Sequence, residues 1–311
     1  MTMHYHRIQP KLCYTLYMKA MITLLLFLTL TNASPVTHYQ ITSFCVEPRG
    51  GEEYAIIRTF EQEGKPRQLM LNTQTLETSI TPRILTMGHA CGDSSYMRLL
   101  KKSITPPSPL QNDGITSGKR GVAITTDLCP SSKQGFEQNL YATVIQKFPT
   151  PVPVTLFITG KWIEKHPQAF RQFLRWQKER KLSITWGNHT YNHPYHPKEP
   201  LEKNFTLSQN YDLLGDTLAL EKMLIEKGAT PSVFFRFPGL VSDQKSMQTI
   251  HDLGLITIGS DTWIAKGQKT AEGSIILLHG NKNEPKGVEM FLEMLKKGTI
   301  KKMDTLGRVL H

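Results

Sequence analysis

The fold of this chain is indicated first by the stretch Arg120-Gly-Val-Ala-Ile-Thr-Thr-Asp-Leu-Cys-Pro130. Its residues 122–126 are aliphatic and β-branched, which predicts a short buried strand. Asp127 follows this strand directly, and Pro130 is a residue typical of turns. If this strand belongs to an α/β sheet, Asp127 lies where ligands bind, beyond the carboxyl ends of the strands.

Strand and helix patterns alternate from this stretch onward. We predict strands at 122–126, 154–158, 182–186, 233–236, 255–258 and 274–278, and helices at 133–147, 167–180, 207–227 and 286–297. Such repeats predict parallel strands joined by crossover helices, as a barrel or an open sheet. The preceding residues 35–105 are β-rich, with strands expected at 54–60 and 67–72. The expected domains are therefore a small β-rich region (35–105), a linker (106–119) and an α/β domain (120–308).

The N-terminus has the layout of a secretory signal peptide. The apolar run 22–30 follows Lys19 and precedes the small residues of 31–33. The run is short for a membrane span, although an uncleaved anchor is the alternative. We expect residues 1–33 to be removed, leaving an exported protein with no stable membrane span. The long segment before Met18 favours a true start at Met18 or Met21.

Cysteine and charge usage fit this location. Cys45, Cys91 and Cys129 lie beyond the signal peptide, and Cys45 with Cys91 is the candidate bridge, although spacing alone does not prove proximity. The net charge of +11 suits an anionic polymer, or merely a solvated surface. The sequence has no zinc finger, aromatic RNA-binding motif or long basic run, so no nucleic-acid partner is expected.

Polar residues with catalytic chemistry recur just after the predicted strands. They are Asp127, His189, His193, Arg236, Asp261 and His279. Since parallel strands end at one edge of a sheet, this order predicts one site rather than unrelated loop residues. His189 and His193 are four apart and could share a metal, because neutral imidazole binds zinc well. The alternative is a pair of surface histidines.

At these residues the chain resembles the polysaccharide deacetylases of the NodB-homology type, carbohydrate esterase family 4. The resemblance covers roughly 120–308 and rests on five ordered motifs: Thr125-Thr-Asp-Leu-Cys-Pro130, His189-Thr-Tyr-Asn-His193, Arg236-Phe-Pro238, Asp261-Thr-Trp263 and Leu277-Leu-His279. It implies a distorted (β/α) barrel, here preceded by the β-rich region. It also implies metal-dependent removal of an acetyl group from an N-acetylated glycan, such as a cell-wall polymer.

The resemblance assigns a catalytic role to four residues. Asp127 is expected to be the general base, with Arg236 favouring its carboxylate form. His279 is expected to be the general acid, with Asp261 paired to it. Each also has a structural interpretation, since Asp127 could cap a helix and the two pairs could be ordinary ion pairs.

The remaining assignments concern substrate and metal. The Gly239 N–H is expected to stabilise the oxyanion, while Trp263 and Leu277 line the acetyl pocket. His189 and His193 are expected to hold a divalent metal, zinc by ligand type.

One position departs from the family pattern. Leu128 stands where the family has a second aspartate that binds the metal, so a weakly held ion is expected. Asp127 or a water could complete the site, or a different ligand, Cys129 or His196, could substitute. A further alternative is a degenerate protein that binds glycans without hydrolysing them, or a different amide or ester hydrolase on this fold.

Overall fold

The computed structural model describes residues 34–47, 51–86, 88–104, 110–131, 133 and 135–311. Residues Val36–His311 form one compact unit. The predicted signal peptide lies outside the described residues. Among the residues that are described, no helix is both long enough and apolar enough to cross a membrane.

The N-terminal part is a four-stranded antiparallel sheet followed by a helix. Its elements are β1 (Val36–Val46), β2 (Tyr54–Gln62), β3 (Lys65–Asn72), β4 (Thr78–Thr81) and α1 (Ser95–Ser103). The strands pair in sequence order. The expected β-rich region is present, and a disulfide joins Cys45 to Cys91 as expected. Sequence patterns did not reveal β1, because its residues do not alternate cleanly between buried and exposed.

The rest of the chain follows a repeated strand–helix pattern. Its elements are β5 (Leu110–Gln111), β6 (Val122–Leu128), α2 (Gln138–Lys147), β7 (Val152–Ile158), α3 (Gly160–Lys165), α4 (Pro167–Lys178), β8 (Leu182–Asn188), α5 (Leu213–Glu226), β9 (Pro231–Phe235), β10 (Val241–Ser242), α6 (Gln244–Asp252), β11 (Ile256–Thr257), β12 (Thr262–Trp263), β13 (Ser274–His279), α7 (Pro285–Lys296) and α8 (Leu306–Leu310). All six strands and all four helices predicted for 120–308 are present. Two helices start later than predicted, and α5 starts at Leu213 because the Asp212 side chain caps it by accepting from Gly215 N–H.

A parallel sheet of seven strands forms the centre, in the order β11-β9-β8-β7-β6-β13-β12. Its inner strands are almost wholly buried, and every residue of β9 is buried. Both faces of the sheet are therefore covered, as is usual for parallel sheets. The sheet curls into part of a barrel, so the expected α/β fold of distorted-barrel type is confirmed.

The N-terminal sheet is joined to this centre by a buried ion pair. The Arg58 guanidinium donates to both carboxylate oxygens of Glu221 on α5, at 2.7 and 3.0 Å. The Tyr39 hydroxyl donates to the same carboxylate at 2.8 Å. From residue 110 the predicted linker packs on the sheet, since Ile115 is buried and bridges to Ile258. The domain boundaries stay a prediction.

Candidate active site

Two neighbouring strands bring the predicted acid and base together. Asp127 on β6 and His279 on β13 are direct partners in the parallel ladder. His189 follows β8, two strands away, and Arg236 follows β9, where its N–H donates to Asn188 O at 2.9 Å. Four of the predicted residues therefore meet at the carboxyl edge of the sheet, as the sequence order indicated.

Arg236 fixes the Asp127 carboxylate. Its Nη1 donates to Asp127 Oδ1 at 2.7 Å and to Thr125 Oγ1 at 2.8 Å, while Nη2 donates to Gly259 O. The guanidinium also lies 4.1 Å from the centre of the Phe157 ring. Burial alone would raise the pKa of Asp127, but the charges of Arg236, His189 and His279 lower it below its usual value. Asp127 is therefore held in its carboxylate form.

The tautomer of His189 is set by a backbone carbonyl. Nδ1 of the buried ring lies 2.8 Å from Arg236 O, which can only accept a hydrogen bond. Nδ1 therefore donates to this carbonyl, and Nε2 faces Cys129 Sγ at 3.6 Å and Asp127 Oδ2 at 3.9 Å. An imidazole oriented through its second nitrogen is typical of metal-binding histidines.

His193 lies on a tight loop in an uncommon conformation. Thr190 and His193 have φ of 67° and 48°, a region that a β-branched residue such as Thr190 rarely adopts. The Asp216 carboxylate on α5 holds this loop, because it accepts from the backbone N–H groups of Tyr191 and Asn192 at 2.8 and 3.0 Å. The His193 ring centre then lies 4.9 Å from that of His189.

We expect Asp216→Asn to weaken metal binding by roughly 10–100-fold, the usual effect of losing a group that orients a ligand. The amide has one acceptor oxygen, so it cannot hold both backbone N–H groups and the Asn192 side chain. Metal titration of the stripped protein measures the effect. The matched control is Asp212→Asn, which changes the cap of the same helix without touching the loop. Equal affinity in both variants would contradict this role of Asp216.

A group of three side chains has the donors for a metal ion. Ligand atoms of Cys129, His189 and His193 all lie within 4.8 Å of one another. His193 Nε2 is buried and has no hydrogen-bond partner among the described residues. The Cys129 thiol is free and buried. Burial would raise its pKa, but the charge of His193 and the hydrogen bond with His189 bring it well below the ordinary value. The residues present therefore fit a divalent metal, and His196 is exposed and outside this group.

The prediction that Asp261 pairs with His279 is wrong. Asp261 accepts from Ile275 N–H and Ser274 Oγ at the start of β13, whereas His279 ends that strand. Glu284, five residues after His279, takes the place instead, with Oε2 at 3.0 Å from His279 Nδ1 and 2.9 Å from Trp263 Nε1. Burial lowers the pKa of His279, but its contacts with Cys129 and Glu284 outweigh this and raise the pKa to about 10.

These groups line one open cleft of about 590 Å³. Its wall includes three residues predicted to bind substrate, namely Gly239, Trp263 and Leu277, and also two aromatic residues that the sequence did not indicate, Tyr195 and Phe205. Gly239 has φ of 64°, and a Cβ there would lie 2.5 Å from the Phe205 ring, so only glycine fits. Glu284, Asp216 and Tyr195 were missed because no strand end or motif marks them.

The chain is similar to several known proteins. Residues 114–258 match the family model described as polysaccharide deacetylase. Among solved structures, a family 4 carbohydrate esterase from Bacillus anthracis is 19% identical, with 71% of this chain and 94% of that chain covered and a TM-score of 0.49. The chitin deacetylase from Colletotrichum lindemuthianum is 20% identical, with 65% and 93% covered and a TM-score of 0.46.

A mutant of a CE4 family pseudoenzyme is 13% identical, with 89% of this chain and 93% of that chain covered and a TM-score of 0.45. The family model itself spans β6, β7, β8 and β9, and so includes the residues Asp127, His189, His193 and Arg236. Residues 114–258 of this chain are therefore similar to the polysaccharide deacetylase family.

Proposed function

We propose that the protein removes acetyl groups hydrolytically from an N-acetylated polysaccharide, of the peptidoglycan or chitin kind, with the help of zinc. The observation that carries this is that Asp127 and His279, backbone neighbours on adjacent strands, line one cleft together with Cys129, His189 and His193. Amide hydrolysis needs a base for the attacking water and an acid for the leaving amine. The cleft supplies both, on adjacent strands.

His189 and His193 would hold the metal. Bound there, it would supply Lewis-acid chemistry for the acetyl carbonyl and for the attacking water. His189 is prepared for this role, since Arg236 O fixes its tautomer and leaves Nε2 free. Imidazole ligands suit zinc better than magnesium or calcium.

Asp127 takes the proton of the attacking water. Arg236 binds Oδ1, so Oδ2 is the oxygen directed towards His189 and the cleft. The low pKa of Asp127 keeps the carboxylate charged and able to accept the proton at neutral pH. Arg236 also fixes the orientation of the carboxylate, which lowers the entropic cost of reaching the reactive geometry.

His279 gives a proton to the departing amine. With its pKa raised to about 10, the imidazole is protonated at neutral pH before the reaction starts. Glu284 holds Nδ1, which leaves Nε2 as the donor towards the substrate. Gly239, Trp263 and Leu277 line the same cleft. In this proposal the Gly239 N–H stabilises the oxyanion, and Trp263 and Leu277 enclose the acetyl group.

The substrate polymer lies outside the cell in this proposal. The Cys45–Cys91 disulfide supports an exported protein, because such bonds persist in oxidising compartments. The apolar run 22–30 acts as the export signal. Removal of residues 1–33, with Arg7, Lys11 and Lys19, lowers the net charge from +11 to +8, which still favours an anionic cell-wall polymer.

Tyr195 forms a stacking surface for a sugar ring at the rim of the cleft. Tyr195 is 60% exposed, and its ring stacks on that of Phe205, with ring centres 5.3 Å apart and planes 26° apart. We expect Tyr195→Ala to raise the KM for an oligosaccharide roughly three- to tenfold with kcat little changed, since such ring contacts contribute about 0.5–1.5 kcal/mol. Tyr195→Phe is the control and should behave as the parent. A fall in kcat alone would rule out this role.

An assay of acetate release tests the function. The full chain is stripped of metal, supplied with zinc, and incubated with acetylated peptidoglycan fragments or chitin oligomers. We expect release that requires zinc. Glycan binding without acetate release under any metal would favour the degenerate alternative, which the leucine at position 128 suggests. Release from simple acetyl esters alone would point to another hydrolase on this fold.

A further inference from the structure

The geometry points to Cys129 as the third protein ligand of the metal, so that the centre is a thiolate–imidazole site. This inference rests on the metal of the proposed function but not on the reaction. Catalytic zinc sites usually have three protein ligands and one open position. His189 and His193 supply two, and the third has to come from a side chain within reach of both.

Leu128 cannot supply that ligand, because its side chain has no donor atom. The side chain also points into the core and not towards Cys129, His189 and His193. Its side chain is fully buried in the hydrophobic core, with Leu140, Tyr141 and Val144 as members of the same cluster. The strand β6 ends at Leu128. The next side chain, that of Cys129, lines the cleft instead.

The sulfur stands where a zinc ligand would. With Zn–S near 2.3 Å and Zn–N near 2.05 Å, two ligands of a tetrahedral ion are about 3.6 Å apart. Cys129 Sγ lies 3.6 Å from His189 Nε2. The backbone is also fixed, because Asn281 Nδ2 donates to Cys129 O at 2.9 Å and Thr159 Oγ1 donates to Leu128 O at 2.9 Å.

A second observation is independent of the cysteine. His193 Nε2 is a buried nitrogen with no hydrogen-bond partner in the part of the chain that the structure describes. Leaving such a group unpaired costs free energy, so a partner is expected. A metal ion shared with Cys129 and His189 satisfies this nitrogen.

Asp127 is the competing ligand, and its contacts argue against it. Oδ1 is bound by Arg236 at 2.7 Å, and Oδ2 is 3.9 Å from His189 Nε2, further than the sulfur. Asp127 therefore remains free to act as the base. The consequence is a softer site than one with a carboxylate, which should prefer zinc, cadmium and cobalt to magnesium and manganese.

The test replaces zinc by cobalt in the full chain. We expect one cobalt per chain and a near-ultraviolet thiolate-to-cobalt charge-transfer band, which is lost in Cys129→Ser and Cys129→Asp. Cys129→Asp should still bind cobalt, since a carboxylate can replace the thiolate, whereas Cys129→Ala should bind at least about tenfold more weakly. A cobalt-loaded parent without the band, or a parent that binds neither cobalt nor zinc, would overturn the inference.

Alkylation of the parent protein covers the case in which the variants do not fold. Iodoacetamide modification of Cys129, followed by peptide mass spectrometry, should be slowed by zinc but not by magnesium. Equal rates with and without zinc would overturn the inference. None of these readouts uses catalysis, so a thiolate-bound metal without acetate release would reject the proposed function and leave the ligand assignment standing.

Discussion

Asp127→Asn is expected to lower kcat by about 10²–10⁴-fold, the usual contribution of a general base, while the metal stays bound. Asparagine has nearly the same shape but cannot take a proton from water. The metal should remain because Cys129, His189 and His193, and not Asp127, form the group of metal-binding donors. Steady-state rates and zinc content measured on the same samples separate the two effects.

The change also leaves the buried Arg236 charge without its carboxylate. We therefore expect a loss of about 3–5 kcal/mol in the free energy of unfolding, because an unpaired buried charge is costly. Assays should be run at a temperature at which circular dichroism shows a folded variant. The matched control is Asp113→Asn, a buried aspartate bonded to Ser242 outside the cleft, which should keep the parental kcat. A kcat within tenfold of the parent in Asp127→Asn would mean that another group is the base.

Arg58→Met and Glu221→Leu should each destabilise the protein by about 3–5 kcal/mol, although neither residue lines the cleft. The two side chains are 0% and 2% exposed, and each would leave the other without its partner. Burial opposes the charge of Arg58, but the Glu221 carboxylate outweighs this and raises its pKa above the ordinary value. Chemical unfolding with the disulfide intact measures both losses.

The double variant Arg58→Met with Glu221→Leu shows how much the ion pair as a whole contributes to the free energy of unfolding. Since both charges are removed together, we expect it to be more stable than either single variant and close to the parent. Lys296→Met, in an exposed pair with Glu293, is the control and should cause no measurable loss. If the double variant loses the sum of the two single effects, the ion pair does not couple the N-terminal sheet to α5.

The sequence was sufficient for six of the seven strands of the parallel sheet, and the two-residue strand β12 was not predicted. Strands such as 154–158 and 274–278 are short apolar runs, and their helices have a clear apolar face, so local patterns were enough. The order of polar residues after these strands placed Asp127, His189, Arg236 and His279 at one edge. The β-strand Val36–Val46 was missed, because its partner β2 decides its pairing and its own residues do not alternate cleanly.

The site was only partly encoded in local patterns. The motif order suggested Asp261 beside His279, but the backbone carries Asp261 to the opposite end of β13, and Glu284 comes from the start of the next helix. Asp216 acts on the His193 loop from α5, more than twenty residues away in the chain. Contacts across such separations depend on how helices pack on the sheet, which no local pattern describes.

By itself, the sequence determined six apolar strands of the α/β part and which side chains follow them, because these strands are marked by local runs of apolar residues. Only the tertiary structure decided which of those side chains contact one another and which other residues hold them in place. Cys129 shows the difference: the sequence could not tell whether its side chain faced the core or the cleft. That depends on where β6 ends and how the following turn is anchored by Asn281 and Thr159, which come from distant parts of the chain.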